Sequence, residues 1–284
     1  MLIFHFGLTG YPLSHSLSPK IHKIALDSCG LQGDYSLFPV HPGNQHELKE
    51  LLARVRSGEI TGLNVTIPHK QNIISLLDEL SPTAQAVGAV NTISMQNGKL
   101  TGDNTDEPGF LADLRRFLTT NSPSYGDTKS VLVLGAGGSA RAVVYALINE
   151  GWDVAIATRR IEQAHALSAQ FPHPDSKISS IEYNPTALQP LLPALSLIVN
   201  TTPLGMSPKI DASPWPVDLS FPANAAVYDL VYNPRQTKLV ADARAAGLPA
   251  TTGLGMLIEQ AALAFEIWTG HTPPRKFLWD AVDN

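Results

Sequence analysis

The sequence predicts a two-domain α/β protein, and three observations support this fold class. The chain has 284 residues, which is more than one typical domain holds. Short runs rich in branched apolar residues alternate with helical stretches along most of the chain, which is the α/β pattern. Apolar residues make up 44% of the sequence and charged residues 16%, so the chain can fill sizeable cores.

The first third of the chain is predicted to form four strands and two helices. The helix at 19–29 should begin with Ser18 as its N-cap and Pro19 in its first turn. The dipeptide Asn97-Gly98 predicts a hairpin that adds an antiparallel pair to the sheet. The second helix covers 45–55, and the strands cover 2–8, 35–40, 62–67 and 89–95.

The rest of the chain begins with a predicted helix at 106–118 and then a polar connection at 119–129. Residues 207–224 carry four prolines and are predicted to be a surface excursion or a lid. The last predicted helix, 254–268, could return to the first domain, a question that sequence periodicity leaves open. The remaining predicted elements are a helix at 139–150 and strands at 130–134, 153–157, 196–200 and 225–230.

Charge and cysteine content exclude several classes of partner and site. The net charge is −5 and lysines and arginines form no run, which argues against nucleic acid and anionic membranes as partners. Cys29 is the only cysteine, so no internal disulfide can form, and no Cys/His spacing predicts a metal site. No signal peptide or membrane-spanning stretch is predicted. We expect a cytoplasmic protein, and either a monomer or a homodimer fits the sequence.

A dinucleotide-binding fingerprint lies between a predicted strand and a predicted helix. It reads Gly135-Ala136-Gly137-Gly138-Ser139-Ala140. The first glycine permits a tight turn, the second lets a pyrophosphate approach the backbone, and the alanine packs the helix against the strand. The helix N-terminus adds N–H donors and a positive dipole end. We therefore predict a Rossmann-like second domain that binds a dinucleotide; a plain glycine turn is the alternative.

The end of the next strand favours NADP over NAD. An acidic residue about 20 positions after the turn would bind the ribose 2′-hydroxyl and repel a 2′-phosphate. This chain has Thr158-Arg159-Arg160 there, and its first carboxylate follows at Glu162. The two guanidinium groups can pair with the phosphate or stack on adenine. A solvated helix start is the alternative interpretation.

Polar clusters follow the predicted strands of the first domain, where open α/β sheets bind ligands. Such neutral donors and acceptors suit a polyhydroxy substrate, because a missing hydroxyl would leave buried groups unpaired. Lys70 is the best candidate for moving the proton that accompanies hydride transfer, as an acid/base or as a fixed cation. Asp106 either joins it or caps a helix. His15, His22 and His69 are rival proton carriers. The clusters lie at 14–19, 64–70, 91–92 and 103–106.

Taken together, the motifs resemble the shikimate dehydrogenase family over nearly the whole chain. They are GYPLSHSLSPKIH at 10–22, GLNVTIPHK at 62–70, GAVNT at 88–92, GDNTD at 102–106, NTTPLGM at 200–206, DLVYNP at 229–234 and GLGMLIEQ at 253–260. The resemblance implies reversible, NADPH-dependent reduction of 3-dehydroshikimate to shikimate, a step toward aromatic amino acids. It also implies a discontinuous substrate domain, 1–106 plus 253–284, and a Rossmann-like NADP domain, 107–252.

The resemblance also implies roles for individual residues. Lys70 and Asp106 would be the catalytic pair, with Asp106 also contacting the ring, and Ser16 and Ser18 would bind the substrate carboxylate. The other substrate residues would be Asn64, Thr66, Asn91, Gln260 and, nearby, Tyr232. The turn at 135–140 would hold the pyrophosphate. The adenosine end would face Thr158, Arg159 and Arg160, two of which depart from the family's usual residues, and the nicotinamide region would be lined by Thr201, Met206 and Gly253.

Three other functions are consistent with part of the sequence. A quinate/shikimate dehydrogenase would accept a saturated ring with an additional hydroxyl, although the serine pair favours shikimate. A catalytically silent relative would bind a nucleotide or a ring acid as a sensor, but the intact Lys70, Asp106 and Gln260 argue against it. A Rossmann scaffold in an interaction protein would leave the polar clusters of the first domain unexplained.

Overall fold

The chain forms two compact units in the computed structural model, which describes residues 2–121, 129–171 and 177–283. The first unit comprises Met1–Gly109 and Leu257–Asn284, and the second comprises Phe110–Met256. The predicted α/β fold class is confirmed, since each unit is built on a six-stranded sheet with helices.

The described residues contain twelve strands, ten α-helices and two short 3-10 helices, Asn72–Leu76 and Gln189–Ala194. The strands are β1 (Ile3–Gly10), β2 (Gln32–Pro39), β3 (Gly62–Val65), β4 (Glu79–Leu80), β5 (Thr92–Gln96), β6 (Lys99–Asp103), β7 (Ser130–Leu134), β8 (Asp153–Thr158), β9 (Ile178–Glu182), β10 (Leu197–Asn200), β11 (Ala226–Asp229) and β12 (Ala250–Thr252). The helices are α1 (Ser18–Ser28), α2 (Gln45–Arg56), α3 (Pro82–Val87), α4 (Asp106–Asn121), α5 (Gly138–Asn149), α6 (Ile161–Ser168), α7 (Pro185–Leu188), α8 (Lys238–Ala245), α9 (Leu254–Thr269) and α10 (Arg275–Asp283).

The sheet of the first unit has the strand order β2-β1-β3-β5-β6-β4. Strands β1, β2 and β3 are parallel, β5 is antiparallel to both of its neighbours, and β4 is parallel to β6. The predicted hairpin is confirmed, because Gln96 pairs with Lys99 and Asn97 adopts a left-handed φ of 51°. The hairpin places the carboxyl end of β6 beside the amino end of β5, where Asn91 and Asp103 are hydrogen bonded.

The sheet of the second unit is parallel throughout, with the order β12-β11-β10-β7-β8-β9. Successive residues of β7 point into two different buried clusters, Val131 and Val133 into one and Leu132 and Leu134 into the other. Burial on both faces explains why this strand is an unbroken apolar run. The carboxyl ends of the central strands therefore line one edge of a rigid, covered sheet.

Most predicted elements lie within a few residues of the observed ones, and two details were wrong. Ser18 is the first residue of α1 and not its N-cap; the hydroxyl of Ser16 accepts from the Ser18 N–H instead (3.2 Å). The helix predicted to be last, α9, is followed by α10. Residues 207–224 contain no helix or strand, as predicted. Most of the predicted connection at 119–129 lies outside the described residues, and α4 extends to Asn121.

None of the helices in the described ranges is both long and apolar enough to cross a bilayer.

Candidate functional site

The predicted catalytic pair is formed at the end of β3 and the start of α4. Lys70 follows β3 and its Nζ donates to Asp106 Oδ2, with side chains only 10% and 6% exposed respectively. The cap of α4 comes from Asn104, whose Oδ1 accepts from the Glu107 N–H (3.1 Å). The alternative role of Asp106 as a helix cap is therefore wrong, and its carboxylate is available for the lysine.

Asn91 connects this pair to three further side chains. Its Nδ2 lies 3.0 Å from Asp106 Oδ1, 2.9 Å from Thr105 Oγ1 and 3.3 Å from Gln260 Oε1. Its Oδ1 accepts from the Thr105 N–H (2.8 Å), which fixes the orientation of the amide. Gln260 is held in turn, because its Nε2 donates to Leu257 O (2.8 Å).

Asn64 lies next to this group on β3. Its Nδ2 donates to Asn91 O (3.1 Å), and its Oδ1 accepts from the Tyr35 hydroxyl (2.9 Å). We call Asn64, Lys70, Asn91, Thr105, Asp106 and Gln260 the amide cluster. It joins five of the predicted site residues, which come from β3 and the segment after it, the starts of β5 and α4, and the middle of α9.

The other predicted substrate residues lie outside this cluster. Ser18 is buried at the start of α1, and Ser16 and Thr66 are half-buried in the first unit. Tyr232 is half-buried in the second unit, in the segment after β11.

Two of the three rival histidines are poorly suited to carry a proton for this cluster. His69 is buried and its Nε2 donates to Val40 O (2.8 Å), because a carbonyl oxygen can only accept. His22 stacks on Tyr35 with ring centroids 4.4 Å apart, and burial lowers the pKa of His22 to about 3, so the ring is neutral. The side chain of Asn64 offsets only part of this effect. His15 is exposed.

The glycine turn of the fingerprint joins β7 to α5 in the second unit. Gly135 adopts a left-handed φ of 108° and its N–H donates to Ala157 O (2.8 Å). Ala140 is fully buried against the sheet. The first turn of α5 has no acidic residue, and its N-cap Gly137 supplies no side-chain acceptor. The leading N–H groups of α5 are therefore suited to an anion.

The predicted 2′-phosphate residues follow β8. Thr158 is half-buried at the strand end, and Arg159 and Arg160 are exposed. Among the described residues, neither arginine forms an ion pair with a carboxylate.

Thr201, Met206 and Gly253 come from the segments after β10 and β12. The Thr201 hydroxyl donates to Leu134 O (2.7 Å), immediately before the glycine turn. Met206 is 41% exposed. A Cβ on Gly253 would lie 2.3 Å from Leu230 O, so only glycine fits at this position.

Within the described ranges, no group of three or more His, Cys, Asp and Glu side chains is placed to hold a metal ion.

Comparison with known proteins decides the family. Residues 8–93 match the shikimate dehydrogenase substrate binding domain, residues 120–225 match shikimate / quinate 5-dehydrogenase, and residues 253–282 match the shikimate 5′-dehydrogenase C-terminal domain. Shikimate dehydrogenase (NADP(+)) of Salinibacter ruber is 40% identical over 97% of this chain and 95% of its own. The chain belongs to the shikimate dehydrogenase family. The Thermus thermophilus family member, solved with NADP(H) and shikimate, is 37% identical, has a TM-score of 0.83, and is covered over 98% of its chain and 99% of this one. A further shikimate dehydrogenase, solved with NADP+, has a TM-score of 0.85 at 34% identity, over 99% of this chain and 95% of that one.

Sequence reasoning missed several residues that hold the site of this shikimate dehydrogenase family member together. Thr105 and Asn104 lie inside a motif that was singled out, yet their roles in orienting Asn91 and capping α4 were not predicted. Tyr35 was assigned only to a strand, and its sequence neighbourhood carries no signal for the bond to Asn64. Asn200 and Asp229, in motifs after the glycine turn, were likewise given no role.

Proposed function

We propose that this chain catalyses the reversible, NADPH-dependent reduction of 3-dehydroshikimate to shikimate. The observation that carries the proposal is the buried Lys70–Asp106 pair, which Asn91 joins to Gln260. A buried cation with an anionic partner and surrounding amides suits a small, neutral-to-anionic ring with several hydroxyl groups. The family relatives that carry the same name support the assignment.

Lys70 would supply the proton of the reaction. Adding a hydride to a ketone carbon leaves negative charge on the oxygen, which must gain a proton to become a hydroxyl. The ammonium group has three N–H bonds and donates one to Asp106, so another can point at the carbonyl oxygen. The proton moves from Nζ to that oxygen, and the resulting amine regains a proton from water. In the oxidative direction the amine takes the hydroxyl proton.

Asp106 would hold the lysine in place and contact the ring. One of its oxygens accepts from Lys70 and the other accepts from Asn91, so the carboxylate is fixed from two sides. The carboxylate also compensates the charge of the ammonium group, which is buried in the first unit. We propose that Ser16 and Ser18 bind the carboxylate of the substrate. The remaining ring hydroxyls would be contacted by Asn64, Thr66, Asn91, Gln260 and Tyr232.

The second unit would hold NADP, whose reduced nicotinamide supplies the hydride when it is bound. The uncapped start of α5, free of acidic residues, fits a pyrophosphate. The exposed arginines after β8 fit a 2′-phosphate and disfavour NAD. The cofactor residues of this proposal are Gly135, Ala136, Gly137, Gly138, Ser139, Ala140, Thr158, Arg159, Arg160, Thr201, Met206 and Gly253.

An absorbance assay at 340 nm with purified protein tests the proposal. Shikimate and quinate are each offered with NADP and with NAD, and the reverse reaction is followed with NADPH. We expect fast turnover only with shikimate and NADP. Comparable rates with quinate would assign the chain to a broader quinate/shikimate activity. Absence of turnover, together with binding of shikimate or NADP, would identify a silent relative and overturn the proposal.

We also propose that the protein works in the cytoplasm on small molecules alone. The acidic net charge of −5 and the single cysteine support this placement. Cell fractionation tests the compartment, and light scattering on purified protein distinguishes a monomer from a homodimer.

A further inference from the structure

The second unit contains a buried carboxylate, two strands away from β7 in the same sheet, that has no role in the proposed reaction. Asp229 is the last residue of β11 and is fully buried. Its Oδ1 accepts from Asn200 Nδ2 (2.8 Å) and from the Val231 N–H (3.0 Å), and its Oδ2 accepts from the Thr237 hydroxyl (2.6 Å). Burial raises the pKa of Asp229 to about 6, although these three bonds favour the charged form. A group that is costly to bury in this way is expected to serve a purpose.

The orientation of the Asn200 amide depends on Asp229. Asn200 ends β10 and is fully buried. Its Oδ1 accepts from the Thr202 N–H (2.9 Å) and from the Thr202 hydroxyl (2.7 Å), so its Nδ2 must face Asp229. Asp229 is the nearer of two acceptors for that Nδ2, the other being Leu204 O at 3.5 Å. A donor at position 229 would leave two N–H groups facing each other.

The amide in turn shapes the segment after β10. By accepting from Thr202, Asn200 closes a tight turn in which the Leu204 N–H donates to the Thr202 hydroxyl (3.3 Å). Within this turn the Thr201 N–H (2.9 Å) and hydroxyl (2.7 Å) both donate to Leu134 O. Because Leu134 immediately precedes the glycine turn, a chain of hydrogen bonds runs from Asp229 to the start of that turn across three neighbouring strands.

We propose that Asp229 and Asn200 are positioning residues for the cofactor, which hold residues 201–206 in the conformation that binds the nicotinamide end. The inference rests on the proposed function, in which Thr201 and Met206 line that region. The described hydrogen-bond partners of both side chains are protein atoms of the second unit, and the proposed reaction gives neither residue a chemical role. They act by fixing the backbone that carries the contacting side chains, and their loss should weaken cofactor binding more than substrate binding.

Two substitutions at position 229 distinguish the acceptor that orients Asn200 from the negative charge of the buried carboxylate. In Asp229→Asn the amide oxygen still accepts from Asn200 and Val231, and its NH2 group can donate to Thr237. In Asp229→Ala the Asn200 amide loses its shorter bond and keeps only the long one to Leu204 O (3.5 Å). We expect the alanine variant to raise KM for NADP about tenfold, the scale of one lost buried hydrogen bond, with KM for shikimate within about twofold of the parent. The asparagine variant should restore the parental KM.

Thr237→Val is the matched control, because it removes one bond to Asp229 and leaves the bond to Asn200 intact. It should lower thermal stability without raising KM for NADP. If Asp229→Ala does not fold, Thr202→Val removes a bond on the other side of Asn200 and should raise KM for NADP several-fold. Equal effects of the alanine variant and the control, or an unchanged KM for NADP in the folded variants, would overturn the inference.

Direct binding measurements distinguish a wrong positioning role for Asp229 from a wrong proposed reaction. NADP binding is also measured directly, by quenching of tryptophan fluorescence, in the parent protein and in each variant. If the parent binds NADP but does not turn over shikimate, the proposed reaction fails and the positioning effect is still read from the binding constants. If the parent is active and Asp229→Ala binds NADP as tightly as the parent does, the positioning role alone is wrong.

Discussion

The amide cluster of the first unit and the glycine turn of the second recognise ligands in opposite ways. The cluster consists of buried side chains that already satisfy one another, with Asn91 bonded to Thr105, Asp106 and Gln260. The turn offers backbone N–H groups at an uncapped helix start, with two exposed arginines on a neighbouring strand end. A substrate must replace existing protein hydrogen bonds, whereas a pyrophosphate would meet leading N–H groups of α5 that no side chain caps. Selection of the substrate should therefore be stricter than selection of the cofactor.

The largest effect is expected at Lys70. Lys70→Ala should reduce kcat at least about 100-fold, the scale of general acid–base catalysis, while the Kd for NADP stays near the parental value. Lys70→Arg is the control that sharpens the result, because arginine keeps the charge but does not give up its proton. If the arginine variant retains most of the parental kcat, Lys70 acts as a fixed cation. An alanine variant as active as the parent would remove Lys70 from the mechanism.

A pH change should shift the stability of the two units in opposite directions. The pKa of His22, in the first unit, is lowered from 6.5 to about 3, so its contribution is present above pH 6.5 and is lost as the pH falls. The pKa of Asp229, in the second unit, is raised from 3.8 to about 6, so its contribution is present below pH 3.8 and is lost as the pH rises.

Hydrogen exchange at pH 7 and pH 5 measures this contrast. Each pH unit between the folded and unfolded pKa values corresponds to about 1.4 kcal/mol, or roughly tenfold in protection. Protection factors in β1 and β3 should fall on acidification, whereas those in β10 and β11 should hold or rise. His22→Phe should abolish the loss in the first unit. A parallel loss in both units of the parent protein would contradict the contrast.

The smallest of these effects is expected at the exposed arginines of the second unit. Replacing Arg159 and Arg160 with alanine should raise KM for NADP roughly tenfold, because charge-assisted bonds to a phosphate are lost. The KM for shikimate should stay within about twofold, and the KM for NAD should not change. NAD, which lacks the 2′-phosphate, is therefore the control for NADP in the same variant. If both KM values moved alike, the arginines would not recognise the 2′-phosphate.

The two sites also differ in how well the sequence predicts them. The glycine turn is a local pattern, so residues 135–140 could be assigned to a turn and a helix start directly. The amide cluster depends on chain segments far apart in sequence, such as Asn91 and Gln260, and only the family resemblance brought them together. Tyr35 and Asp229 were missed because their roles depend on which strands are neighbours, which a strand pattern alone does not specify.

The same distinction holds for the fold. Long apolar elements such as β7 and α5 were predicted within one or two residues. Among the strands and α-helices of the described residues, eight were missed: strands β4, β9 and β12 and helices α3, α6, α7, α8 and α10. The shortest of them, β4, β12, α3 and α7, have too few residues to show a periodicity of their own. The two short helices do carry local signals at their starts, since the side chains of Ser81 and Asn184 cap them and a proline follows each cap.

Because the first unit needs Trp268, the second unit can be completed before the first during synthesis, although the first unit begins earlier in the sequence. Its ring stacks on Phe6 (4.7 Å between centroids) and its Nε1 donates to Ile93 O (3.1 Å). The ribosome releases Phe6 long before it releases Trp268. The second unit has its whole sequence by Met256, so it can fold while the older half of the first unit still waits for its last helices. The part of the first unit that precedes the second unit in sequence is therefore the part that a chaperone would need to protect longest.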